Sequence, residues 1–142
     1  MKQKLIIIIC IFLFITLILA LGIYHHSIIN VESNKNNKEF EKYTKDVITG
    51  TDLITVINNA IDKNEFNGIY KDASSKYIIN DTNSIKIEVK FLEKEEIITM
   101  ESIYDLGIEQ FIKHYSNKKF KCNEINYHNK TKNISYMKFE EV

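Results

Sequence analysis

The sequence has no arginine, no proline and only two cysteines in 142 residues. All nineteen basic residues are lysines, so the chain lacks the rigid planar fork that grips phosphate or carboxylate through two parallel hydrogen bonds. A composition heavy in lysine, asparagine and isoleucine also fits an AT-rich coding sequence. Formal net charge is zero, which removes any global electrostatic reason to bind nucleic acid or an anionic surface. Cys10 lies in an apolar run and Cys122 far along the polar remainder. The two cannot meet if that run crosses a membrane, so no internal disulfide is expected, and no C-x-x-C pair is present. Cys122 reads as a small buried hydrophobe, with an intermolecular disulfide as the alternative. The lack of proline is consistent with an ordered domain.

What the sequence does contain is Leu5–Tyr24, LIIIICIFLFITLILALGIY, an unbroken stretch without charge. At ~1.5 Å per residue its helix matches the ~30 Å hydrocarbon core of a bilayer. The basic preface Met1-Lys2-Gln3-Lys4 would suit a secretory signal, but the apolar stretch exceeds the ~7–15 residues of one. An uncut anchor is therefore expected, with cleavage after Gly22 in Ala20-Leu21-Gly22 as the alternative. No small residue precedes Cys10, which argues against a lipoprotein. Lys2 and Lys4 precede the run and no lysine follows until Lys35, which places the N-terminus in the cytoplasm and residues 25–142 outside. Tyr24, His25 and His26 fall at the outer interface, and two adjacent histidines without a third ligand make a poor metal site.

Residues 1–4 thus form a cytoplasmic preface and 5–24 the span. Residues 25–48 read as a juxtamembrane spacer, partly helical where Phe40, Tyr43, Val47 and Ile48 recur. Residues 49–142 read as one extracytoplasmic domain of ordinary size. Leu53, Ile57 and Ile61, with Ile54 and Ala60 beside them, predict a helix closing at Asp62-Lys63-Asn64. Thr49 or Thr51 can cap it, and Asp52 sits at the positive end of its dipole. Asn67-Gly68 signals a turn, and Tyr77–Ile79 reads as a short strand. Ser84–Phe91 alternates strictly, with Ile85, Ile87, Val89 and Phe91 on one face and Lys86, Glu88 and Lys90 on a solvent face. After a turn at Leu92–Glu95, Glu96–Thr99 pairs back as a hairpin. Tyr104, Ile108, Phe111, Ile112 and Tyr115 predict one helix over 101–115, capped by Thr99 or Ser102.

Phe120–His128 and Lys132–Phe139 read as a second hairpin with a two-residue turn at Asn129-Lys130. The buried parity slips from Phe120 and Cys122 to Ile125 and Tyr127, and again from Ile134 and Tyr136 to Met137 and Phe139. Either bulges or burial on both faces would explain it. The expected fold is α+β: an N-terminal transmembrane helix, then a small domain with a four- or five-stranded antiparallel sheet and two packed helices.

Chemistry-bearing residues are present but not arranged. Cys122 and His128, six apart, share a strand face only if no bulge intervenes. Glu95-Glu96 and Glu140-Glu141 are strand neighbours that point to opposite faces, and His114 lies at the edge of an apolar stripe. Gly50 stands alone, without the spacing or the following lysine of a phosphate loop. No G-x-S-x-G, HExxH or calcium loop occurs. Asn80, Asn129 and Asn133 open Asn-x-Ser/Thr triplets, which carry meaning only in a eukaryotic secretory route. No catalytic, cofactor or metal residue is assigned, and a non-enzyme is expected.

An N-terminal apolar helix, a short helical region and an antiparallel sheet together resemble the layout of type IV pilins and pilin-like proteins. Ile48–Ile61, ITGTDLITVINNAI, further resembles a G-[ST]-[DE]-[LV] stretch preceding a helix in small, mostly uncharacterised membrane-anchored proteins of low-GC Gram-positive bacteria. The second likeness covers about a tenth of the chain. The chain departs from pilins in having no glycine before the apolar run and no glutamate within it, so no functional residue transfers. The missing catalytic constellation favours a non-enzymatic structural or interaction component of the cell envelope, for which the resemblance implies a pilin-like layout and an envelope protein is a candidate partner. The alternative is a membrane-tethered enzyme or sensor.

Overall fold

In the computed structural model, which describes residues 2–93 and 96–142, the apolar run is the first half of one helix, α1 (Lys2–Thr44). Residues 6–24 of α1 are exposed along their whole length. Among the described helices this one is long and apolar enough to cross a membrane. The stretch read as a spacer continues the same helix, and its last turns enter the domain: Ser33, Asn37 and Phe40 are buried.

A two-residue strand, β1 (Ile48–Thr49), leads into α2 (Gly50–Phe66). Thr49 caps α2 through a reciprocal box. Its hydroxyl accepts from the Asp52 N–H at 3.1 Å, and the Asp52 carboxylate accepts from the Thr49 N–H at 3.1 Å and the Thr49 hydroxyl at 2.7 Å. Leu53, Val56, Ile57, Ala60 and Ile61 form the buried face. The helix runs a turn past the expected stop and closes at Asn67. Gly50 is required because a Cβ there would overlap the Tyr115 carbonyl, and the Gly50 N–H donates to the Lys118 carbonyl at 3.0 Å. The likeness-bearing T-G-T-D-L segment is thus a capping box, a close backbone approach and a core leucine.

Two hairpins follow, β2 (Lys86–Lys90) with β3 (Ile97–Thr99), and β4 (Lys119–Tyr127) with β5 (Ile134–Glu141). The sheet order is β1-β4-β5-β2-β3. All pairs are antiparallel except β2 with β5, which run parallel. The antiparallel expectation fails at that seam, because the chain crosses the sheet between the hairpins and β5 returns into the gap beside β2.

The crossing is not one helix over 101–115 but two, α3 (Met100–Asp105) and α4 (Ile108–Tyr115). They break at Gly107, whose φ of 92° is open to glycine and strained for other residues. The break re-aims the two faces: Met100, Ile103 and Phe111 are buried, while Tyr104 and Ile112 are exposed. Thr99 occupies the N-cap of α3 without a side-chain bond to its amides. Tyr77–Ile79 is not a strand; Tyr77 makes an isolated bridge to Lys71 and buries its ring. The expected turn at Leu92–Glu95 falls partly outside the described residues.

Bulges, not two-sided burial, explain the parity slips. The β4–β5 register skips a residue between Cys122 and Glu124 and shifts again between Asn126 and Tyr127, which returns Met137 and Phe139 to the core. The connection between these strands is six residues, 128–133, with Lys132 at φ 59°, rather than the two-residue turn expected. One sheet face packs on α2, α3, α4 and the end of α1, with Phe91 at a ring cluster 4.6 Å from Tyr115 and 5.7 Å from Phe120. The other face alternates in sign: the register aligns Lys90, Glu140 and Lys121 in one row, and Glu88, Lys138 and Glu124 in the next. Lys86–Glu88 and Lys138–Glu140 pair at 2.6 and 3.0 Å. This is the solvent face that the Lys/Glu alternation implied.

Two outcomes follow from the start of α2. Gly50→Ala should cost about 2 kcal/mol, since a crowded backbone must move to admit one methyl, measured by denaturant unfolding of the full chain in detergent. The hydroxyl and backbone N–H of Thr49 hold the Asp52 carboxyl below its ordinary 3.8. Its stabilisation is therefore complete above about pH 4 and is lost as pH falls through the lowered value. Thr49→Ala should cost about 1 kcal/mol at pH 7 and flatten that acid-side loss in a pH series of melts.

Candidate functional site

The seam between β2 and β5 creates a local problem. Both strands begin at the end of the domain nearer the apolar half of α1, and the backbone groups entering them lack ladder partners. Asparagine side chains supply those partners. Asn64, fully buried on α2, accepts from the Ile85 N–H and donates to the Ile85 carbonyl, both at 2.8 Å. Asn37, buried on α1, accepts from the Ile134 N–H at 2.8 Å and donates to the Lys132 carbonyl at 2.9 Å. His128 Nε2 lies 2.7 Å from the Ser84 carbonyl; that oxygen only accepts, so Nε2 carries the proton. Asn80 Oδ1 accepts from the N–H groups of Thr82, Asn83 and Ser84, tying the loop before β2.

Beside this clasp a groove of about 590 Å³ opens between α1, the second half of α2 and the loops before β2 and β5. Phe40, Ile85 and Ile134 form its apolar floor, and asparagine amides supply much of its rim. Lys63 is neutralised by Glu39 at 3.1 Å and also reaches the Asn36 carbonyl. Among the described residues, no hydrogen bond or ion pair holds the side chains of Asn59 and Asp62, which line the groove. An unpaired amide and one unpaired carboxylate beside an apolar floor suit a polar ligand, or a polar segment of a partner, that offers hydrogen-bond donors.

The residues weighed for chemistry are not brought together. The bulge after Cys122 separates its parity from that of His128. Cys122 Sγ donates to the Glu124 carbonyl at 3.5 Å, and burial pushes its thiol up, away from thiolate chemistry. His114 is exposed on α4, with Nδ1 at 2.9 Å from the Gln110 carbonyl. Glu140 faces out to Lys138 and Asn123, while Glu141 faces in, accepting from Lys118 Nζ at 2.9 Å and the Leu92 N–H at 3.1 Å. Glu95 lies outside the described residues. His25 and His26 are exposed on α1, and among the described residues no three His, Cys, Asp or Glu groups converge as metal ligands.

Sequence reasoning missed Asn37 and Asn64. The available signal was positional: Asn64 lies one turn after Ala60 on the buried face of α2, and Asn37 one turn before Phe40. No family model matches the chain, and neither curated proteins nor solved structures yield a match. Asn64→Ala should cost about 3 kcal/mol, because it strands a buried N–H and a buried carbonyl. Asn59→Ala, on the groove rim, should stay within about 0.5 kcal/mol; denaturant melts of the two variants make the comparison.

Proposed function

We propose that this protein is a single-pass membrane-anchored component of a cell envelope, with a structural or interaction role of pilin-like layout rather than a catalytic one. Residues 5–24 hold it in the bilayer, the N-terminus lies in the cytoplasm, and the α+β domain stands on the outer side. The observation that carries this reading is the continuity of α1. Residues 6–24 are exposed along their whole length, and its last turns are core, with Asn37 bonded into the start of β5 and Phe40 fully buried. A tethered enzyme needs only a flexible leash; a rigid helix sharing the domain core fixes the orientation of every domain surface relative to the membrane. That suits a part that must meet partners in a set geometry. The groove favours a second reading, a tethered sensor whose polar ligand sits against Asn59 and Asp62.

Cys122 is buried, so topology is best read at an exposed strand position. Asn126→Cys should react with an impermeant maleimide in intact cells, and labelling only after lysis would overturn the outward orientation. In-cell crosslinking should trap the chain with itself or with another envelope protein. A strictly monomeric result, or turnover of a substrate abolished by His114→Ala, would count against the structural role.

A further inference from the structure

The orientation of α2 decides which end of the domain meets the membrane. Lys63 on α2 pairs with Glu39 and Asn36 on α1, while the start of α2 at Gly50 follows the end of α1 at Thr44 after only five residues, 45–49. The two helices are therefore antiparallel, and the C-terminal end of α2 points back toward the apolar run. Phe66 ends that helix, and the loop beyond it carries Tyr70, Ile78 and Ile79. Phe66 and Tyr70, 92% and 81% exposed, are the two most exposed large hydrophobic side chains among the described residues, more so than any in the apolar run. Ile78 and Ile79 in the same loop are 53% and 63% exposed, and the Ile78 N–H donates to the Tyr70 carbonyl at 2.9 Å, which holds the two limbs of the loop together.

Contact requires the span to tilt, because the helical rise out of the bilayer is about twice the depth of the headgroup layer. From Tyr24 to Ser33, where α1 enters the domain, a helix rises ~14 Å. The headgroup layer occupies about 5–7 Å on each side of the hydrocarbon, and single spans commonly tilt by about 20°. A tilt toward α2 lowers this end of the domain onto the interface. The exposed lysines of the same loop, Lys71 and Lys76, suit the headgroup level, as does an aromatic ring with a polar tip.

We propose that Phe66, Tyr70, Ile78 and Ile79 form a seating rim by which the domain rests on the interfacial zone of the same bilayer that α1 crosses. The proposal rests on the anchoring reading above. The rim is a second, shallow contact that fixes the tilt of α1 and sets the mouth of the asparagine-lined groove, to which Phe66 also contributes, close to the lipid surface.

The full-length chain, reconstituted in vesicles of phosphatidylcholine and phosphatidylglycerol, tests this by fluorescence. Single-cysteine variants in a Cys10→Ala, Cys122→Ala background carry an environment-sensitive probe at Phe66→Cys, at Leu92→Cys, or at Phe14→Cys. Leu92 is the control, apolar and 72% exposed but beyond the opposite end of β2. Lipids spin-labelled near the headgroup should quench the probe at 66 about threefold more than the probe at 92, and lipids labelled deep in the chain should quench the probe at 14. Quenching at 14 with equal or no quenching at 66 and 92 overturns the seating rim and leaves the anchor standing. No quenching at 14 overturns the anchor, and the rim with it. A blue-shifted but unquenched probe at 66 assigns the patch to a second copy or another protein and overturns the proposal.

Discussion

The parallel seam between β2 and β5 is the constraint on which the rest of the structure depends. A two-residue turn would satisfy the groups entering the second strand; here β5 enters from a six-residue connection and β2 from a separate loop, and buried amides without partners are costly. Here the missing partners come from helices. Asn64 ties α2 to β2, and Asn37 ties α1 to β5. The same bonds that close the sheet therefore bind the long N-terminal helix to the domain.

That coupling builds the last turns of the N-terminal helix into the domain that carries the sheet. Asn37 and Phe40 lock the last turns of α1, the Lys63–Glu39 pair joins α2 to it, and the two loops entering the seam gather at one end. The groove lies there because two helices approach two strand starts without filling the angle between them. The opposite sheet face needs no partner, since its charges alternate in sign across three strands and neutralise one another locally. Such exposed pairs add little stability individually; their effect is to keep a broad face soluble without net charge.

Much of the fold was legible. The Leu53–Ile61 periodicity, the alternation of Ser84–Phe91 and the two hairpins are local signals of burial, and local burial is what periodicity reports. Gly107 defeated the single helix over 101–115, because one residue with positive φ redirects a stripe that otherwise looks continuous. The Asn129-Lys130 turn failed because the loop instead spends six residues placing His128 and Thr131 against the segment before β2. The asparagines of the clasp were hidden by abundance: in a chain rich in asparagine, the two that are buried carry no mark in composition.

The sequence by itself determined that one apolar segment precedes an α+β domain, that Thr49 and Asp52 open a helix, and that the last two strands carry irregularities. Each of these is settled by residues within a few positions of one another. Only the tertiary structure decided that β2 and β5 run parallel, that Asn37 and Asn64 stitch two helices to that seam, and that Phe66 and Tyr70 stand at the same end as the apolar half of α1. Those outcomes depend on contacts between residues up to 97 positions apart. The pairing that satisfies a buried backbone group over that distance is chosen by the packing of the whole domain, which no local pattern encodes.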